Sequence, residues 1–454
     1  MQEETAVGTL PILIGMAGSA PRSLLAAATV GLLALMGASP PAWACVPRGG
    51  LSEGLPDCRV YELVSPVEKD GADAIASGLP PTVQASASGS ALAYTSVGSF
   101  AGSGGEGPVG NELPNAYLAV RSGTGWVTRG LSPPTARATG TGPAGLGYDF
   151  SEDLSRVVVK VPLQTLAPGA PEGVYNLYLR DPAGGFSLVT TSPPATALPG
   201  SCGLCFVTTD VPAFAGASGD FGRVIFEANE SLASLPAGAP GGEVENLYES
   251  FPRQGGGVLR LVGVLPDGAI PPEGAQPGSG VKVFYTSFTP ADSEDVAHAI
   301  SEDGSRIVFQ AKADGGPPAP EQSGGTEVYD RIYNPGGAGS EGYETVELSA
   351  PAPGAKPAHP GPGPARFWAA TADGSRVFFT SSAELTSVSN TGPWNAGNDL
   401  YEYDLSTRTL TDLTPDSNLL DWEAGANVLG VVGASGAPAT GAGAGGEGSG
   451  GNSG

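Results

Sequence analysis

Few residues of this chain have side chains suited to covalent chemistry, and those few stand apart. Histidine occurs twice, at His298 and His359, in unrelated segments. That leaves most catalytic triads without a base and most transition-metal sites without a ligand set. A literal G-x-S-x-G occurs at residues 50–54 (GLSEG). A nucleophile elbow needs a core strand before the serine and a helix after it, and this one sits in a short loop between Cys45 and Cys58. Cys202 and Cys205 form a C-x-x-C. Half a zinc site would need a second such pair, and a redox thiolate would need a helix N-terminus. Pro193, Pro194, Pro199 and Gly200 precede it, so the expected use is a local disulfide, with metal binding and redox chemistry as alternatives. No catalytic, cofactor-binding or metal-ligating residue is assigned. The weak calcium candidates are Asp292, Glu294 and Asp295, whose spacing is not that of an EF-hand loop; solvated surface acids are the competing reading.

The charge is lopsided. Forty-six acidic residues face 21 basic ones, a formal net charge of −25. Such a field repels phosphate backbones and anionic membranes, so nucleic acid is not expected as a partner. At the start, Arg22 precedes the apolar run 24–36, the breakers Gly37 and Pro40–Pro41, and then Ala42-Trp43-Ala44. This order reads as a signal peptide over residues 1–44, cut before Cys45. The run is too short for a comfortable membrane span. Cys45 then has two uses open to it: a disulfide with Cys58 in an oxidising compartment, or a lipid, the one route by which the chain would meet a membrane. A secreted or cell-envelope location is expected.

What must position any site is a repeat. A turn followed by a short apolar strand occurs at residues 86–94 (SASGSALAY), 151–159 (SEDLSRVVV), 218–226 (SGDFGRVIF), 301–309 (SEDGSRIVF) and 371–379 (TADGSRVFF). A second strand centred on one tyrosine follows each: Tyr117, Tyr178, Tyr248, Tyr329 and Tyr401. The period is roughly 65 to 83 residues, which marks repeated supersecondary units. Asp153, Asp220, Asp303 and Asp373 sit where an aspartate bonds backbone amides across a tight turn. Gly304 and Gly374 supply the positive φ such a turn tolerates, whereas Leu154 and Phe221 occupy that place in two copies, which predicts a different or longer turn there. A closing strand ends each unit near a Pro step, giving four antiparallel strands per unit with no helical periodicity between them.

Four-stranded units cannot bury both faces alone, and radial packing of such units is the logic of a β-propeller. The tyrosine rings are expected between blades, with their hydroxyls at a wet edge. The motifs resemble the WD40-like (PD40) repeats of the secreted bacterial TolB-type β-propellers, whose unit reads S-x-D-G-x-x-h-h-F, an Asp or Asn before h-Y, and L-T. Residues 301–309 with 327–329, and 371–379 with 399–401 and 410–415, carry the likeness best, and it covers about residues 84–417. The implied organisation is a signal peptide (1–44), an N-terminal segment (45–83) with a ring-closing strand at 58–66, a propeller (84–426) and a tail (427–454) opening on a vestigial repeat. The five repeats fall at about 84–134, 146–194, 213–266, 296–351 and 366–417, with a partial sixth after them. The resemblance is specific for fold and weak for function. Three functions stay open: a non-catalytic binding or scaffold module for an envelope or extracellular protein or glycan; a glycan-active hydrolase or lyase using channel carboxylates; and a structural surface protein or fragment of a longer repeat protein. The contact rim would be built from the long loops 102–114, 193–212 and 350–366. No cofactor is expected beyond calcium.

Overall fold

The structure is a computed structural model that describes residues 61–415, apart from 70, 72, 76–83, 97–114, 132–147, 162–164, 173–175, 192–211, 229–245, 253–258, 278–298, 313–325, 336–341, 356–364 and 392–396. The described residues form strands and turns and no α-helix. The signal peptide, all four cysteines, both histidines, the acidic residues 292–295 and the tail 427–454 lie outside them.

Five antiparallel sheets follow one another along the chain. The first contains β1 (Ala74–Ile75), β2 (Gln84–Ala85), β3 (Ala91–Ser96), β4 (Asn115–Ser122) and β5 (Gly125–Gly130). The second contains β6 (Tyr148–Phe150), β7 (Val157–Val161), β8 (Asn176–Arg180) and β9 (Phe186–Leu188). The third contains β10 (Ala213–Ala217), β11 (Val224–Ala228), β12 (Asn246–Ser250) and β13 (Leu259–Leu261). The fourth contains β14 (Gln276–Pro277), β15 (Arg306–Lys312), β16 (Thr326–Tyr333) and β17 (Tyr343–Glu347). The fifth contains β18 (Ala365–Ala370), β19 (Arg376–Ser381), β20 (Asp399–Asp404) and β21 (Thr409–Asp412). The strand order is sequential in each, except that β1 and β2 both pair with β3, so each sheet is a meander.

Both faces of the middle sheets are apolar, and the two faces serve different neighbours. On β7, Val157, Val159 and Val161 pack with Ala93 and Leu118 of the first sheet. Val158, one residue out of phase, packs with Phe226 and Tyr248 of the third, as period-two strands require. The third, fourth and fifth sheets share one further core that includes Ile225, Phe309, Tyr329, Phe379 and Tyr401. Sheets stacked in chain order, each burying a face on the one before and a face on the one after, are the blades of a β-propeller.

The repeat tyrosine is the centre of each joint. Its register partner across the sheet is Tyr94, Val159, Phe226, Phe309 or Phe379 in turn. In four blades the pair is aromatic, with ring centroids 5.8, 5.5, 5.3 and 5.5 Å apart. Such cross-strand aromatic pairs stabilise by about 0.5–1.5 kcal/mol beyond the area they bury. All five tyrosines are among the largest fully buried side chains.

Three expectations need correction. The turns at Leu154 and Phe221 are neither longer nor different: φ is 57° and 53°, beside 71° at Gly304 and 67° at Gly374. The left-handed conformation costs a non-glycine residue about 1–2 kcal/mol. Leu154 and Phe221 offset that by burying their side chains in the joint with the preceding blade. Where glycine stands instead, the preceding blade's arginine fills the space: a Cβ on Gly304 would lie 2.5 Å from Arg223 Cδ, and one on Gly374 would lie 2.7 Å from Arg306 Cδ. Second, residues 61–66 of the expected ring-closing segment form no strand. Val64 is laid instead on the Tyr94–Tyr117 face of the first blade, covering apolar surface rather than extending a sheet edge. Third, the fourth blade does not begin at its expected start near residue 296: β14 pairs with β15 from residues 276–277, while Ile300 makes only an isolated bridge to Ile307. The leading edge of the fourth blade is therefore split by residues 278–298, as that of the first is split between β1 and β2.

Candidate functional site

The two ends of the blades are built by different rules. At one end lies the turn joining the first two strands of a blade, and its chemistry repeats. Asp153, Asp220, Asp303 and Asp373 each accept from the Ser or Thr hydroxyl two residues earlier, at 2.7, 2.9, 2.7 and 2.6 Å. Each also accepts from the backbone N–H two residues later, at 2.9, 2.8, 2.9 and 3.0 Å. Carboxylates so held ionise readily. Its bonds from Thr371 and Ser375 pull Asp373 down to about 2. Successive turns are tied by backbone bonds, Ala87 N–H to Glu152 O at 3.2 Å, Gly219 to Glu302 at 2.8 Å and Glu302 to Ala372 at 2.8 Å. These aspartates are turn-formers with filled valences, which makes this end a fastening.

The opposite end carries the connections from second to third strand and from blade to blade. In a meander both kinds leave from the same end. They span residues 97–114, 229–245 and 313–325 within blades, and 132–147 and 192–212 between them. Two further connections at this end touch: Ala352 N–H, after the fourth blade, donates to Leu385 O within the fifth at 2.8 Å. Of the expected rim segments, residues 102–114, 193–211 and 356–364 lie outside the described residues; the strands that flank them end on this side.

Beneath that end, two residues before each repeat tyrosine, stands a polar residue. In the second blade it is Asn176, which donates to Pro171 O at 3.0 Å and accepts from Thr190 Oγ1 at 3.0 Å. In the fourth and fifth blades the position is acidic. The Tyr329 hydroxyl donates to Glu327 Oε2 at 2.7 Å, and Glu347 is the register partner of Tyr329 on β17. Burial first, then the neighbouring Glu327, raises the Glu347 carboxyl. In the fifth blade the pair is Asp399, two residues before Tyr401, and Asp412, the register partner of Tyr401 on β21. Burial and then Asp412 push Asp399 up to about 6.

A second polar cluster lies between the third and fourth blades. Arg223 donates to Glu249 Oε1 at 2.9 Å and to Gly304 O at 3.0 Å. The Tyr343 hydroxyl donates to Glu249 Oε2 at 2.6 Å and accepts from Arg260 at 3.1 Å. Arg223 stacks on Tyr333 at 4.5 Å, and Arg260 and Arg331 flank the Tyr343 ring at 5.2 and 5.0 Å. Burial and the Glu249 charge raise the Tyr343 phenol, so it stays a donor at any physiological pH. The corresponding acids of later blades are paired too, Asp330 with Arg306 and Glu402 with Arg376, each at 3.0 Å.

Neither cluster was singled out from the sequence, yet both leave a trace there. The residue after the repeat tyrosine changes from Leu118 and Leu179 to Glu249, Asp330 and Glu402. The residue two before it changes from Asn176 and Asn246 to Glu327 and Asp399. Among the described residues no group of three or more His, Cys, Asp or Glu is arranged to hold a metal. No helix among them is long and apolar enough to cross a membrane.

No protein-family profile matches the chain, and no curated protein matches it in sequence. Solved structures similar to it include a TolB candidate from Agrobacterium tumefaciens, with TM-score 0.30, 14% identity, and coverage of 73% of this chain and 79% of that one. TolB from Acinetobacter baumannii gives TM-score 0.27 and 12% identity, over 73% of this chain and 54% of that one. The propeller domain of the Trilobed protease from Pyrococcus furiosus, described as having an open velcro topology, gives TM-score 0.32 and 10% identity, over 74% and 72%. The chain thus spans only about half of the Acinetobacter protein.

Proposed function

We propose that this chain is an exported, non-catalytic propeller whose loop-bearing end binds a protein or glycan of the envelope or extracellular space. The observation that carries the reading is the contrast between the ends. One is fixed by the same Ser-x-Asp turn in blade after blade, bonded from turn to turn. The other is the end from which the longer connections of unlike sequence leave their strands, and where Ala352 bonds Leu385. A rigid framework that varies only at one rim is the usual arrangement for recognition. Within the framework the strongest charged groups are spent on holding blades together, as Glu249 is by Arg223 and Tyr343. The acidic balance of the chain favours basic or cation-bridged partners over phosphate-rich ones.

The test replaces residues 102–114, and separately 193–211, by short Gly-Ser linkers and confirms folding by circular dichroism. Binding to arrays of glycans and to purified envelope proteins is then compared with the parent. Loss of a parental signal in the loop variants, with retention when Ser155 or Ser305 at the turn end is changed to Ala, supports the reading. Glycan cleavage by the parent protein, or signals unchanged by either replacement, overturns it.

A further inference from the structure

Asp399 and Asp412 lie on one face of the fifth blade, two residues apart in register across β20 and β21, at 5% and 7% exposure. Two carboxylates this close and this dry do not both stay charged without a counterion. Among the described residues no arginine or lysine pairs with either of them. Asp399 Oδ2 accepts from Asn390 N–H at 3.1 Å and lies 3.4 Å from the Tyr401 hydroxyl. Asp412 Oδ1 accepts from Thr414 N–H at 2.9 Å. The other Asp412 oxygen, Oδ2, is buried with no partner. Thr391, which follows Asn390 directly, is 1% exposed, and its hydroxyl also has no partner. Buried polar atoms without partners are rare, and a cluster of them beside two acids is where a bound ion is the economical explanation. Asn390 Nδ2, on the residue whose backbone N–H reaches Asp399, is likewise buried without a partner, so three unpaired polar groups fall on the two segments that carry or contact the acids, residues 390–391 and Asp412.

We infer that this pocket of the fifth blade is a site for a hard divalent cation of the calcium class. Its protein oxygens come from the Asp399 and Asp412 carboxylates and the Thr391 hydroxyl. Two carboxylates and a neutral oxygen, completed by water, are the ligands such an ion takes, and no nitrogen or sulfur donor is present to favour a softer metal. The site pins a particular element. Residues 382–391 belong to the connection between β19 and β20, and Tyr401 holds them through its hydroxyl bonds to Ala383 O at 2.8 Å and Ser389 Oγ at 2.9 Å. A cation would add its own bonds to that connection and fasten one loop of the loop-bearing end. The equivalent pair in the fourth blade, Glu327 and Glu347, is less enclosed, has no such orphan atoms, and has its tyrosine donating directly to Glu327. The inference stands on these atoms alone and does not depend on what the rim binds.

The experiment uses the whole chain, stripped with chelator, in buffer of physiological ionic strength that screens the general acidity of the surface. Thermal unfolding is followed with calcium, with magnesium and with neither. Terbium is added as a luminescent stand-in that buried Tyr401 would sensitise. The expected result is a rise in Tm with calcium that exceeds the rise with magnesium, together with terbium emission that calcium displaces. Asp412→Asn abolishes both, and raises Tm in chelator because it removes the repulsion with Asp399. Thr391→Val keeps both carboxylates and weakens calcium binding, which keeps the test decisive if the first variant fails to fold. Glu347→Gln leaves the response intact. A parent protein indifferent to calcium, with a Tm that rises at mildly acidic pH instead, would show that the acids share a proton and would overturn the inference. So would a calcium response that survives Asp412→Asn or disappears in Glu347→Gln.

Discussion

The joint between the third and fourth blades and the joint between the fourth and fifth are built on the same plan, and they solve it unequally well. Each buries an acid that follows the repeat tyrosine, pairs it with an arginine that follows the turn, and lays that arginine over a glycine of the next blade. In the first joint Glu249, 1% exposed, has both oxygens occupied, by Arg223 at 2.9 Å and the Tyr343 hydroxyl at 2.6 Å. In the second, Asp330 is fully buried, meets Arg306 at 3.0 Å through Oδ2, and leaves Oδ1 unpartnered. The place of Tyr343 is taken in the fifth blade by Arg408, which pairs with Glu344 on the surface. One repeat position, occupied by a tyrosine in one copy and an arginine in the next, decides whether a buried carboxylate is fully bonded. A tandem fold tolerates such drift because each joint is tested separately.

The sharpest way to break the comparison is Arg223→Ala. It removes the charge partner of a buried carboxylate, the donor to Gly304 O and the ring-stacked cation at once. Stripping one member from a buried pair typically costs about 3–5 kcal/mol. Chemical denaturation should show a loss of that size. A loss below about 1 kcal/mol would mean that water replaces the arginine freely and the joint is not a lock.

Next in size is Tyr343→Phe, which makes the first joint resemble the second. It leaves the ring and the flanking arginines in place but exposes Glu249 Oε2 to a buried site with no donor. An unsatisfied buried acceptor costs about 1–3 kcal/mol. The second joint, already short of a donor at Asp330 Oδ1, is the one whose stability should be sensitive to pH.

That sensitivity is the third prediction. Burial outweighs the pull of Arg306 and raises Asp330 to about 7 from its ordinary 3.8. A carboxyl with a folded value above its unfolded one binds its proton more tightly in the fold. Its contribution is therefore greatest below about pH 4 and declines as pH rises towards 7. The groups facing it are Arg306 from β15 and Tyr403 from β20. Unfolding measured between pH 4 and 8 should show this downward slope, and Asp330→Asn should flatten it. An unchanged slope in the variant would assign the pH dependence to other acids, with Asp399, raised to about 6, as the first suspect.

The same residues show how far the sequence could be read. The blades were legible because the turn and the tyrosine strand recur with fixed chemistry: Asp303 and Asp373 bond their turns as side-chain inventory demands, and Tyr329 and Tyr401 fill the joints. The turns at Leu154 and Phe221 were misread because a local rule, glycine for positive φ, was overruled by tertiary packing. No local pattern shows that Gly304 is required by an arginine 81 residues earlier. The split leading edge of the fourth blade was hidden for the same reason, since residues 276–277 and 300 reach one strand from far apart in the chain. The acid pair Asp399 and Asp412 needed the register of β20 against β21, and a slip of one residue would put the two on opposite faces.

The smallest expected effect tests what the second joint uses in place of Tyr343. Arg408 and Glu344 meet at 3.4 Å with side chains 67% and 52% exposed. Exposed pairs of this kind are screened by salt and must immobilise two long side chains, so the net gain is usually about 0–1 kcal/mol. Arg408 is moreover held at φ 54°, a conformation that a side chain resists and glycine does not. Arg408→Ala should therefore change stability by no more than about 0.5 kcal/mol, and any loss should shrink as ionic strength rises. Arg408→Gly should be equal or better, since relief of the backbone offsets the lost pair. If either variant instead cost as much as Tyr343→Phe, the surface arginine would be reaching the buried Asp330 after all, and the two joints would be equivalent in strength despite their different chemistry.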